Sequence, residues 1–261
     1  MSQRKSFDIP VSGLTHLDGL LYVLLDDRPA SVRVYDLASN TKLTSFRLPL
    51  NSYADVASSE YKHRLYFGHS SGEIYEVKIN KWQINWRNPE DIDLIDETYE
   101  WSAAETILAL SVTPKCNILV TCHPNKLLQF DPSGELMLTV RLDANPWHAV
   151  RLTTGQFAVC FSDRVSIVDS SGCIMKSYGG TRGAGPYQQN NARHLAADGD
   201  GYIFVADSNN DRVVLLSPTL SYVRSVVSYS KDSNPRRLSL DIAKTRLYVT
   251  DCEQRVIDYR I

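Results

Sequence analysis

Few cysteines, fewer methionines, no long apolar run and almost no net charge mark this chain, and each scarcity removes a class of protein. The 261 residues hold five cysteines, Cys116, Cys122, Cys160, Cys173 and Cys252. An odd number without paired spacing argues against a disulfide framework, and none has a partner at the close spacing of a cysteine metal site. No stretch is apolar for long enough to span a bilayer, and the polar start Met1-Ser2-Gln3-Arg4-Lys5 has no apolar signal region. A soluble protein of a reducing, cytoplasmic compartment is expected, with no membrane contact and a monomeric state. The formal charge is -2 and the isoelectric point about 6.3, so there is no global basic field of the kind a dedicated nucleic-acid binder carries, although a local basic face is possible. Helical spacing of apolar positions is nearly absent as well.

What the chain does have is tyrosine, 14 of them against three methionines, which suits half-buried pleated surfaces, and a repeat. The clearest unit starts after Gly179-Gly180-Thr181-Arg182-Gly183-Ala184-Gly185-Pro186. It runs through Leu195-Asp198, the turn Gly199-Asp200-Gly201, then Tyr202-Ala206, Val213-Ser217 and Val223-Ser228. Each piece is a short apolar strand ended by a polar or glycine turn. Fainter copies recur at roughly 35 to 50 residues, the spacing of propeller blades. The sequence therefore predicts an all-β, six-bladed β-propeller formed by 6–261, with blades at about 12–50, 51–89, 104–143, 145–180, 190–230 and 233–261. The last unit has three strands only, so residues 6–11 are expected to supply its outer strand and close the ring, with 1–5 disordered. The one helix-tolerant stretch, about Pro89 to Thr106, reads as an insertion or an irregular outer strand.

The turn Asp207-Ser208-Asn209-Asn210-Asp211-Arg212-Val213, the glycines before it and Arg193-His194-Leu195 resemble an NHL repeat. The likeness is strongest over 179–228 and extends more weakly to 145–178 and 234–261. Earlier blades keep only the strand rhythm, and Gly68-His69-Ser70-Ser71-Gly72 replaces the charged turn. The resemblance implies a six-bladed ring that binds protein or RNA. Some NHL propellers follow a tripartite motif in ubiquitin ligases, an assignment that would apply here only to a fragment of a longer protein.

Two sets of residues recur at fixed places. The pairs Asp207/Arg212, Asp251/Arg255 and Asp163/Arg164 read as structural turns, the guanidinium fork bonding carboxylate and carbonyls at the seams. The loops entering the innermost strands carry Trp147-His148, Arg193-His194 and Arg236-Arg237, with Arg182 and Tyr187 nearby. In a propeller these loops surround one mouth of the central channel, and arginine with aromatic residues makes hot spots for protein partners or stacks on single-stranded nucleic acid.

No catalytic residue, metal site or cofactor is expected. Only His148 and His194 fall together, short of the three or four ligands of zinc. Asp55 and Glu105 are the nearest channel carboxylates for a calcium-dependent, lactonase-type centre. There is no Gly-x-Ser-x-Gly elbow, and the glycine-rich loop before Pro186 lacks the lysine and helix of a P-loop. The reading is a non-enzymatic protein-interaction module whose partner presents an acidic segment. Single-stranded RNA binding on the same face is the first alternative, a metal-dependent hydrolase in the channel the second.

Overall fold

The computed structural model describes residues 3–79, 98–185, 187–229 and 233–261. A first strand, β1 (Gln3–Ser6), precedes the first blade. Blade one is β2–β5 (Val11–Leu17, Leu20–Leu25, Ser31–Asp36, Lys42–Arg47), and blade two is β6–β9 (Tyr53–Ser59, Arg64–His69, Glu73–Lys78, Thr98–Ser102). Blade three is β10–β13 (Thr106–Val112, Ile118–His123, Lys126–Phe130, Leu136–Arg141). Blade four is β14–β17 (His148–Arg151, Phe157–Cys160, Arg164–Val168, Ile174–Gly179), and blade five β18–β21 (Ala192–Ala197, Ile203–Asp207, Arg212–Leu216, Tyr222–Ser228). Blade six holds β22–β24 (Arg237–Asp241, Arg246–Thr250, Arg255–Arg260) with β1 as its fourth strand. All six sheets are antiparallel and four-stranded, and the innermost strands meet in a closed order, β2, β6, β10, β14, β18, β22 and back to β2. The predicted six-bladed, all-β ring is the observed architecture.

Each blade is sandwiched between two others, so both faces of its middle strands leave water. That is why β3 reads Leu-Leu-Tyr-Val-Leu-Leu without alternation and is buried at every position. The core is accordingly divided. Six apolar clusters occupy six seams, for example Phe46, Tyr53, Leu65 and Phe67 between blades one and two, and Leu14, Leu21, Tyr248 and Val256 between blades one and six. Turns on the outer part of the blades repeat one device. Asp131 Oδ1 accepts from the backbone N–H groups of Ser133 and Glu135, and Asp169 Oδ1 from those of Ser171 and Cys173. Hydrogen bonds from the turn serine and backbone hold both carboxyls below their usual range. Gly172 turns there at φ +90°, and a Cβ at this position would lie 2.3 Å from the carbonyl oxygen of Arg141 in the preceding blade.

Three boundaries differ from the sequence reading. The closing strand is Gln3–Ser6 rather than residues 6–11, and it pairs with β24 from Gln3↔Asp258 to Ser6↔Arg255. Residues 3–5, expected to be disordered, are thus part of the last sheet. Pro10 has no N–H to give a ladder; its carbonyl accepts from Asp26, and the chain there crosses from the outside of blade six to the channel strand of blade one, which already includes Val11. Phe7, buried in the seam, fixes that crossing, its N–H donating to Gln254 at 3.0 Å. Blade two also extends past residue 89, because its fourth strand is Thr98–Ser102, in regular register from Glu73↔Ser102 to Val77↔Thr98. The rest of the stretch read as helix-tolerant, up to residue 97, lies outside the described residues. Removal of residues 1–6 is expected to lower the melting temperature of the whole ring in a single transition, since it exposes β24 and reopens the seam between the first and last blades. An unchanged midpoint would show that β1 does not close the ring.

Candidate functional site

The six innermost strands each place one residue at the same level of the channel: Gly13, Asp55, Ala109, His148, His194 and Arg237, opposite Leu24, Gly68, Thr121 and Cys160 in blades one to four and Thr250 in blade six. Bulges in β2, β6, β10 and β18 set this level, and His194 lies inside the last of them, between Ala192 and Leu195. A bulge re-aims a side chain, and here it turns the histidine into the channel. Gly13 is required by close approach, since a Cβ would sit 2.8 Å from the backbone nitrogen of Val56.

These side chains bond from blade to blade. Leu238 N–H of blade six donates to His194 Nδ1 of blade five at 3.4 Å, and Leu195 N–H of blade five to His148 Nδ1 of blade four at 3.2 Å. His148 Nε2 donates to the carbonyl of Leu110 in blade three at 3.1 Å, and Leu110 N–H to Asp55 Oδ2 of blade two at 3.2 Å. Arg237 closes the circle from blade six, with Nε on the Ser12 carbonyl of blade one and Nη2 on the Ala54 carbonyl of blade two, both at 2.7 Å. The two imidazoles stack with centroids 3.6 Å apart and planes inclined by 18°. His194 Nε2 is 3.6 Å and Arg237 Nε 3.8 Å from the Asp55 carboxylate. This is a clasp that runs around the whole ring.

Its electrostatics follow from burial. Burial alone would push the Asp55 carboxyl up, but Arg237 and the facing histidines hold it below its usual range. Burial drives the pKa of both histidines down, that of His148 well below 6.5 and further because of its histidine neighbour. The clasp thus consists of a carboxylate, a guanidinium and two neutral imidazoles.

Asp55, His148 and His194 are close enough to hold a metal ion, and the sequence reading had only the two histidines together. The donor set nonetheless does not fit. A backbone N–H occupies Nδ1 of each ring, which leaves the ring proton on Nε2 and no lone pair there for a metal. Nearly parallel rings also cannot aim two in-plane lone pairs at one ion, and Arg237 already supplies the counter-charge of the carboxylate. Glu105, the other carboxylate considered for the channel, is paired with Lys126 instead. The Cys160 thiol beside the clasp is pushed up to about 12 by burial, so it is no thiolate nucleophile.

His148, His194 and Arg237 were expected on a binding surface; the structure turns them inward, the histidines buried and the arginine held by carbonyls of blades one and two. The reason is the bulge and the pleat: the residue one position earlier in each loop faces out instead. Those residues are Trp147, Arg193 and the exposed Arg236. The guanidinium of Arg193 lies 3.9 Å above the centre of the Trp147 ring. Its pKa is lowered by burial and then by Arg236 and Arg237, and no carboxylate among the described residues offsets that repulsion. Arg182 is exposed and donates to Ser162 Oγ at 3.1 Å. Tyr187 is not on this rim; it stands against Tyr178, 5.8 Å between centroids, over a separate cavity.

The charged turns differ among themselves. Arg212 Nε donates to Asp207 Oδ2 at 2.8 Å, and its remaining nitrogens reach the carbonyls of Ala184 and Gln188, which ties blade five to the loop leaving blade four. Arg255 repeats the pair with Asp251 at 2.8 Å. Arg164 is only 3.3 Å from Asp163 and directs its Nη2 to Asp143. Below the clasp, the channel is a cavity of about 170 Å³ that includes Thr15, His16, Ser58, Ser111 and Ser239. It shares Ser58, Val112, Val150 and Ala197 with a wider cavity of about 740 Å³ on the far side.

No family model matches the chain, and no curated protein matches it. Among solved structures it is similar to a streptogramin B lyase, at TM-score 0.68 and 10% identity over 100% of this chain and 87% of that one. It is also similar to the WD40 β-propeller domain of Doa1, at TM-score 0.65 and 14% identity over 98% of this chain and 95% of that one. At such identities the likeness is one of fold: what this chain shares with the lyase and the WD40 domain is the propeller.

Proposed function

We propose that this propeller is a non-enzymatic interaction module of NHL type that takes an acidic segment of a protein partner at the channel mouth above blades four to six. The observation that carries the reading is the cationic arc: Arg193, seated on Trp147, faces Arg236 and Arg237, while the one carboxylate of the site, Asp55, lies buried beneath. Repulsion among the guanidinium groups is relieved when an anionic segment lies across them, and the tryptophan gives that segment an apolar anchor.

The test is a titration with an acidic peptide containing an aromatic residue, beside a uridine-rich single-stranded RNA. The double variant Arg193→Glu/Arg236→Glu is expected to lose at least ~10-fold in peptide affinity and to keep its melting temperature, because neither side chain belongs to the clasp. Peptide affinity unchanged in the double variant would remove the mouth from consideration. Binding of the RNA in place of the peptide, with a steep fall in added salt, would replace the protein reading by the nucleic-acid one.

A further inference from the structure

Between blades four and five lies a cavity of about 370 Å³ lined by Tyr178, Ala184, Gly185, Tyr187, Arg212 and Tyr222. It is within the size range of specific ligand sites, and neither the clasp nor the cationic arc uses it. Three phenol rings from different segments converge there: Tyr178 from β17, Tyr222 from β21, and Tyr187 from the glycine-rich loop that connects the two blades. Tyr178 is buried, whereas Tyr187 and Tyr222 are 65% and 46% exposed. Tyr187 holds φ +58°, a left-handed conformation that is unfavourable for an aromatic residue and is found where the surroundings impose it.

The walls define the occupant. Arg212 stands in the cavity, so a cationic ligand is disfavoured. Its charge is already met by Asp207, fully buried, and its other nitrogens by two carbonyls, so an anion gains little. What fits is a neutral ring laid on aromatic faces. Proline satisfies this with no N–H to desolvate, and the carbonyl before it can accept from a tyrosine hydroxyl at the cavity's edge. We infer that this cavity is a docking site for a proline-containing, extended segment of a protein partner. Tyrosine-walled grooves suit such segments because the polyproline helix is formed before binding and loses little entropy.

The test uses the full chain and an acetylated oligoproline peptide, followed by two-dimensional NMR or by tyrosine emission, beside an alanine-glycine peptide of equal length. Oligoproline is expected to bind. Tyr187→Ala and Tyr222→Ala are each expected to weaken it at least ~10-fold with the melting temperature kept, while Arg193→Glu/Arg236→Glu binds it as the parent does. No binding of oligoproline, equal binding of the control peptide, or full affinity in both tyrosine variants overturns the inference. Because the double arginine variant reads the channel mouth alone, failure of this site and failure of the acidic-segment reading are separate results.

Discussion

Replacing Arg237 by Leu is expected to lower the melting temperature by roughly 10 °C. The side chain donates to backbone carbonyls of blades one and two and stands 3.8 Å from the buried Asp55 carboxylate. Removing one partner of a buried ion pair costs about 3–5 kcal/mol, because the other charge is left without compensation. For a chain of this size each kcal/mol moves the midpoint by about 2–4 °C. A second change separates the parts of that loss: adding Asp55→Asn to Arg237→Leu removes the stranded charge and is expected to recover part of the midpoint. A single variant that melts within about 3 °C of the parent, or a double variant that melts lower still, would show that the clasp does not hold the ring. The same consideration fixes the choice of residues in the binding test, where Arg237 is unsuitable and Arg193 with Arg236 is clean.

Acid will loosen the ring through the stacked histidines. His148 and His194 have folded pKa values below 6.5, owing first to burial, and Asp55 opposes that shift only in part. The unfolded chain therefore binds protons that the folded one refuses. Stability is complete above about pH 6.5 and is lost as the pH falls from there toward the folded values. Each histidine contributes at most ~1.4 kcal/mol per pH unit over that window, and His16, also lowered by burial, adds to it. The turn carboxyls of Asp36, Asp131 and Asp169 are lowered too. They release their share of stability only below the usual carboxylate pKa of about 4, so the interval between pH 6.5 and about 4.5 reports the histidines. Urea midpoints measured from pH 8 to pH 5 should fall steadily below 6.5, and His194→Asn should flatten the fall. A stability profile level from pH 7 to pH 5 would contradict the neutral, buried imidazoles.

The architecture was legible from the rhythm of apolar strands and turns because sandwiched blades need continuous apolar strands, and runs such as Leu20–Leu25 declare themselves. The closing strand was misplaced by a few residues since Gln3-Arg4-Lys5-Ser6 is polar throughout; an outermost strand meets water on its free edge and needs no apolar pattern. Thr98–Ser102 falls within the stretch read as an insertion or an irregular outer strand, and it is the outer strand of blade two; only the end of that blade, expected at residue 89, fell short of it. At the channel mouth the expected face mixed Trp147, Arg193 and Arg236 with their chain neighbours His148, His194 and Arg237, which the structure turns inward. A bulge shifts the pleat by one position, so Arg193 and His194 exchange outside for inside with no trace in composition. Asp55 was visible only as an isolated carboxylate, because its partners come from blades three, five and six, up to 182 positions further along.

The place of β1 also bears on how the ring comes into being. Gln3–Ser6 precede all six inner strands in the chain, yet their partner β24 ends at Arg260. Five blades can assemble in order as the chain leaves the ribosome, while the opening strand waits for the last. The Arg237 clasp waits with it, since its carbonyl partners lie in blades one and two. Closure is then a late, long-range step of the kind that slows folding. It also acts as a check on completeness: a chain that stops short of β24 leaves its first strand without a partner and its first and last seams open to proteolysis.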